Sequence, residues 1–191
     1  MRISRPSSNL QPITSIALLL LAAVCAAPGT PTNSEPALAP FELRDQYDVS
    51  HKISFPATNV TVMTVADKKG SEQIDGWIAA LKERYTGQIL IEGIADVSNV
   101  PRLLRSMVRE QFKKHRKYPV MLDWAGPTVR SFHYHKDEAN VFVIDRQGHV
   151  TGHFTGTTNE IALNELFLAI DRALSKPRQT GKRETRPGEC D

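Results

Sequence analysis

The apolar positions of this chain fall into blocks of changing period, and each period predicts an element. Val60-Thr61-Val62-Met63-Thr64-Val65 is β-branched and apolar on both faces, the pattern of a buried central strand. Beyond Gly70-Ser71 the spacing changes. Ile74, Trp77, Ile78, Leu81 and Tyr85 recur at three and four residues, predicting a helix capped by Ser71 and ended by Gly87. Ile89 to Val97 reads as the next buried strand, interrupted by Gly93. Pro101 suits the first turn of a second helix with Leu103, Leu104, Met107, Val108 and Phe112 on its inner face.

Tyr118 to Asp123 is a short extended segment, and residues 124–136, with Gly126-Pro127, show no clean period. Val141 to Phe154 predicts a hairpin turned by Asp145-Arg146-Gln147-Gly148. Asn159 then caps a helix with Leu163, Leu166, Phe167, Ile170 and Leu174 facing inward. Two short strands are expected earlier, at Phe41–Leu43 and between Lys52 and Phe55. This order predicts an α/β domain of three layers: a central mixed sheet with helices on both faces, closed by a C-terminal hairpin and helix.

The flanks read differently. Arg2 and Arg5 precede an uncharged stretch, Ile13 to Ala27, followed by small residues, so residues 1–27 read as a secretory signal peptide. That stretch is shorter than the roughly 20 apolar residues a membrane helix needs. The mature protein is therefore expected to be exported, periplasmic or secreted. A lipoprotein anchor at Cys25 is the lesser alternative, because Val24 is a poor match for the small residue expected before such a cysteine. Residues 28–40 hold four prolines and read as a linker, 41–175 as the folded domain, and 176–191 as a disordered tail.

Composition adds two restrictions. A net charge of +3 over 191 residues does not by itself imply a nucleic-acid partner, and no aromatic platform for stacking bases is visible. The only cysteines are Cys25, inside the export signal, and Cys190, in a Pro- and Gly-containing tail. A single remaining thiol cannot cycle between dithiol and disulfide within the chain. A mixed disulfide of Cys190 with a partner is the one specific role left to it.

Three local patterns between residues 41 and 175 carry a family likeness. They are the strand and turn before Gly70, the Pro119–Asp123 segment, and Val141 to Gly156 with its Ile144-Asp145-x-x-Gly148 turn. Together they resemble a domain of the thioredoxin-like, or redoxin (AhpC-TSA-like), superfamily. The likeness implies that Lys69, Gly70, Ser71 and Glu72 stand where the family carries Cys-x-x-Cys. It also implies that Ala139 stands at the family's cis-proline, where a trans peptide is expected because cis bonds are essentially a proline phenomenon. The family's thiol chemistry cannot be carried onto any residue here.

The remaining candidate chemistry is modest. Lys68 to Glu72 at a helix start has the form of an anion site, against the plainer reading of a solvated turn. Asp67 and Glu72 are conceivable as an acid and base pair, though nothing in the sequence places a cleft around them. His133 and His135 alternate at strand spacing, and His149 and His153 share one side of a regular strand, so the four could offer imidazoles to copper or zinc, with Asp137 and Glu138 nearest. Arg102, Arg105, Arg109, Lys113 and Arg116 form a basic ridge on the second helix, suited to an acidic partner or anionic lipid headgroups. Trp124, beside Gly126-Pro127, is a further contact-surface candidate.

No hydrolase elbow, metalloprotease helix or phosphate-binding glycine loop is present, and no cofactor is called for. The expected role is that of an exported domain without thiol redox catalysis, binding a protein partner or serving as a structural module. Copper or zinc binding through the histidines is the alternative from another class. A divergent redoxin-family antioxidant or oxidoreductase is the third.

Overall fold

A computed structural model describes residues 37–177. Seven strands and four α-helices follow in the order β1 (Phe41–Arg44), β2 (Ser50–Ile53), β3 (Val60–Ala66), α1 (Ile74–Tyr85), β4 (Ile89–Asp96), α2 (Arg105–His115), β5 (Met121–Asp123), α3 (Pro127–Ser131), β6 (Asn140–Ile144), β7 (Val150–Thr155) and α4 (Glu160–Ser175). Short 3₁₀ turns, Gly70–Gln73 and Arg102–Leu104, precede α1 and α2. The expected signal peptide, most of the expected linker and nearly all of the expected tail lie outside the described residues.

The main sheet has the order β5-β4-β3-β6-β7. β3, β4 and β5 run parallel, whereas β6 and β7 return antiparallel. All seven residues of β3 are buried, as its unbroken apolar run requires of a strand covered on both faces. Alternate residues feed opposite layers. Val60 and Val62 meet Trp77 and Leu81 of α1 and Leu166 and Ile170 of α4 on one face. Met63 and Val65 meet Val129 of α3, Phe132 and Ile53 on the other. A third cluster covers the β4–β5 edge with Val108 and Phe112 of α2.

The β1–β2 hairpin is a separate two-stranded ribbon, tied to the sheet by a bridge between Asp45 and Met121. Gln46, fully buried, accepts the Val120 amide at 2.8 Å and donates to the Tyr118 carbonyl at 2.9 Å. Leu38, inside the segment read as linker, already donates its amide to the Gly148 carbonyl at 2.9 Å and packs on the core.

Three expectations are corrected. The second strand begins at Ser50 and ends before Phe55. Ser71 is not the cap of the helix start, because its hydroxyl donates to the Lys68 carbonyl while Asp67 Oδ1 accepts the Gly70 amide at 2.9 Å. The face of α2 expected to lie inward is mostly open. Leu103 is 93% exposed, Leu104 43% and Met107 55%, because β5 beneath the helix is three residues long and offers cover to little besides Val108 and Phe112.

Candidate functional site

The family likeness directs attention to the carboxyl end of β3, where the chain leaves the sheet through Asp67-Lys68-Lys69 and enters the 3₁₀ turn. This corner packs directly on residues 137–139, before β6. A Cβ added to Gly70 would lie 2.1 Å from the Glu138 carbonyl oxygen, so only glycine fits at this approach. Asp67 spans the gap: Oδ1 accepts from Gly70 and Oδ2 accepts the Asp137 amide at 2.8 Å. Gln73 makes a second span, donating to the Asp137 carbonyl and accepting the Ala139 amide, each at 3.2 Å. Lys69 Nζ lies 3.4 Å from Asp137 in an exposed pair. The peptide before Ala139 is trans.

These contacts consume the groups on which the anion-site reading depended. The Gly70 and Ser71 amides donate to the side chain and carbonyl of Asp67, so the turn is closed on itself. Asn140, fully buried, sets the far side of the same loop. Its amide donates to the His135 and Glu138 carbonyls, and its Oδ1 accepts the His135 amide and faces His153 Nε2 at 2.9 Å.

The structure separates the histidines. His135 and His153 have ring centroids 5.4 Å apart, and His153 stacks on Phe142 at 4.1 Å. Burial, followed by the neighbouring His135, lowers the His153 pKa below its ordinary value. His149 instead sits against Asp145 at 3.4 Å, and His133 belongs to the turn after α3 with a φ of 48°. A bulge where Val143 pairs Gly152 but Ile144 pairs Val150 breaks the regular alternation that would align His149 with His153. Among the described residues no three His, Cys, Asp or Glu side chains are arranged to hold a metal ion.

The basic ridge is also divided. Arg116, its side chain 16% exposed, donates to Asp75 at 2.6 Å and to the Ser71 carbonyl at 2.7 Å, which makes it an anchor for the turn. Arg109 faces Asp48 at 3.7 Å and Lys113 pairs with Glu110 at 2.7 Å. Arg105 lies over the Trp124 ring at 5.1 Å and donates to its carbonyl, so Trp124 is a packed, half-buried residue. Arg102 keeps an exposed side chain with no carboxylate partner among the described residues.

Beside the turn lies a feature the sequence did not announce. An apolar cavity of about 330 Å³ opens between the carboxyl ends of β3 and β4 and the flank of α2, walled by Val97, Val100, Val108 and Phe112 with Asp67 and Lys68 at its mouth. Its signal was present in Val97 and Val100 after β4, but which side of α2 would face them is not readable from spacing. Asp96 also borders the cavity. Burial raises its carboxyl, but the Tyr134 hydroxyl at 2.6 Å and the Ser98 hydroxyl and amide outweigh that and hold it below the usual range. Burial and the bond to Asp96 push the Tyr134 hydroxyl pKa up. Asp67 and Asp96 each accept hydrogen bonds from internal donors on both oxygens. The remaining wall, Val97, Val100, Val108 and Phe112, is apolar.

No family model and no curated protein matches this sequence. Solved structures do resemble it. A thiol:disulfide interchange protein of the thioredoxin family from Chlorobium tepidum TLS superposes with a TM-score of 0.54 at 16% identity, covering 76% of this chain and 99% of that one. The pneumococcal exposed lipoprotein thioredoxin Etrx1 from Streptococcus pneumoniae strain TIGR4 gives 0.55 at 12% identity, covering 68% and 98%. StoA from Bacillus subtilis gives 0.54 at 13% identity, covering 70% and 98%. With a mixed five-stranded sheet, helices on both faces and a closing hairpin and helix, the chain has the thioredoxin-like fold.

Proposed function

We propose that this domain is an exported binding module that works without thiol–disulfide exchange. One observation carries the reading. Where the likeness expects a reactive dithiol, Lys69-Gly70-Ser71-Glu72 forms a turn whose Gly70 is pressed on the Glu138 carbonyl and whose neighbours Asp67 and Gln73 are bonded across to residues 137–139. No cysteine lies between residues 37 and 177, and thiol exchange requires an attacking thiolate. Export is supported by the basic-then-apolar start of the chain and by the neighbour described as an exposed lipoprotein. No helix among the described residues is long and apolar enough to cross a membrane.

The test uses the processed protein and its Cys190→Ser variant in insulin disulfide reduction and in peroxide consumption. Neither protein should exceed the rate of the chemical reductant alone. Turnover that survives Cys190→Ser overturns the proposal. Turnover lost in that variant moves the activity to the tail thiol and overturns it equally.

A further inference from the structure

We propose that His135 and His153 form an acid-sensitive latch: at neutral pH they keep the loop of residues 135–139 on the turn 67–73, and protonation of both rings releases it.

The latch is built around Asn140, which is fully buried at the start of β6. Its amide nitrogen donates to the His135 and Glu138 carbonyls, which turns its oxygen toward the His135 amide and the His153 ring. An amide oxygen only accepts, so His153 Nε2 carries the hydrogen, and Nδ1 is the nitrogen left to take up a proton. The other three bonds of Asn140 all go to the loop, and the Glu138 carbonyl among them is the group against which Gly70 is packed. Asp67 and Gln73 hold the neighbouring Asp137 and Ala139 amides. The loop therefore hangs from Asn140 on one side and from the turn on the other.

Protonation strikes this arrangement at one point. The two rings stand edge to face with centroids 5.4 Å apart, and His153 stacks on Phe142 at 4.1 Å. Around His153, β6 presents Asn140 and Phe142, neither of which titrates. The loop presents His135, with Glu138 Oε2 3.8 Å from its Nδ1. α4 packs on the opposite face of β7, where Ala169 meets Gly152. Among the described residues no carboxylate pairs with His153. The Phe142 face gives a stacked cation some return, yet burial and then His135 hold the His153 pKa below its ordinary value.

With both rings charged, the push falls on His135, which is exposed and belongs to the loop, whereas His153 is fixed in a strand. Displacing His135 breaks both of its backbone bonds to Asn140. A buried amide left short of partners is unfavourable, so the bond to Glu138 and the contact on Gly70 give way with it. A released, solvated histidine titrates near about 6.5, above His153 in the closed state. The closed loop is thus fully favoured above pH about 6.5 and loses ground as the pH falls from there through the lowered value.

Hydrogen exchange read by NMR tests the latch. Between pH 7 and pH 5 the protection of the His135, Asp137 and Ala139 amides, corrected for intrinsic rates, should fall at least about threefold, while Val62 and Met63 in β3 keep theirs. The His153 ring should titrate below about 6.5. In His135→Gln, at an exposed position, the push is absent, so loop protection should stay level and the His153 midpoint should rise. His153→Gln keeps a donor for Asn140 but takes up no proton, and its loop should stay level too. A fall in protection that survives His135→Gln overturns the proposal. So does a fall shared equally by β3, or a His153 midpoint at or above about 6.5. Should circular dichroism show His153→Gln unfolded, the wild-type titration and His135→Gln decide the matter.

Discussion

α1 and α2 carry the same three-and-four spacing of apolar residues, yet one is sealed and the other open. Ile74, Trp77, Ile78, Leu81 and Tyr85 of α1 are all buried, whereas α2 has no fully buried residue. The difference lies under the helices. α1 lies over β3, in the middle of five strands, with α4 closing its side through Tyr85 and Phe167 at 5.8 Å. α2 lies over the sheet edge, where β5 contributes three residues, and it is held largely by arginine contacts to Asp48, Trp124, Asp75 and Ser71 around it. Periodicity states that a helix has an apolar face. It does not state what covers that face, and an uncovered one is available to a partner.

The comparison breaks most readily in α1. Trp77 is fully buried and donates its indole N–H to the Gly156 carbonyl at 2.9 Å. Trp77→Ala should cost about 3–5 kcal/mol in urea denaturation, and a loss below about 1 kcal/mol would mean α1 is not the sealed helix described. Next comes the turn that leads into α1. Gly70→Ala forces a methyl against the Glu138 carbonyl and should cost about 1–3 kcal/mol, with amide shifts concentrated at residues 137–139. Shifts spread evenly over the sheet would contradict the contact.

Alkaline pH sharpens the contrast at the other end of α1. Burial, then the hydrogen bond to Asp171, pushes the Tyr85 hydroxyl up to about 12. An unfolded tyrosine titrates near 10. The folded state therefore resists ionisation, and its advantage is complete below pH about 10 and fades as the pH rises to about 12. Guanidinium midpoints should fall across that window, less steeply in Tyr85→Phe. An identical slope in both would remove Tyr85 as the cause. The smallest effect is expected in α2 and the 3₁₀ turn before it, where Leu103→Ser and Met107→Ser should each change stability by about 0.5 kcal/mol or less. A larger loss would show that these side chains are covered.

Much of the architecture was legible because its signals are local. The β3 run, the Asp145–Gly148 turn and the Asn159 cap each depend on neighbours within a few residues. Asn159 accepts the Ala162 amide at 2.9 Å, and Asp145 accepts the Gln147 and His149 amides at 3.0 Å. The short helix α3, hidden in a stretch without period, was not legible, since five residues around Gly126-Pro127 give no repeat to read. Nor was the division of the basic ridge, because the partners Asp48 and Asp75 lie far from Arg109 and Arg116 in sequence. The histidine set failed in two places: the bulge in β7, which no alternation pattern reveals, and His133, which lies in the turn after α3.

By itself the sequence determined the order of strands and helices other than α3, the buried character of the central strand and the lack of sulfur at residues 69–72. These are properties of side-chain type and spacing along one chain. Only the tertiary structure decided that Asp67 and Gln73 clasp residues 137–139, that Gly70 is required by the Glu138 carbonyl, and that α2 leaves an apolar flank beside an open cavity. Those depend on which distant segments the sheet brings within a few ångströms of each other, and on how far its edge strand extends beneath a helix.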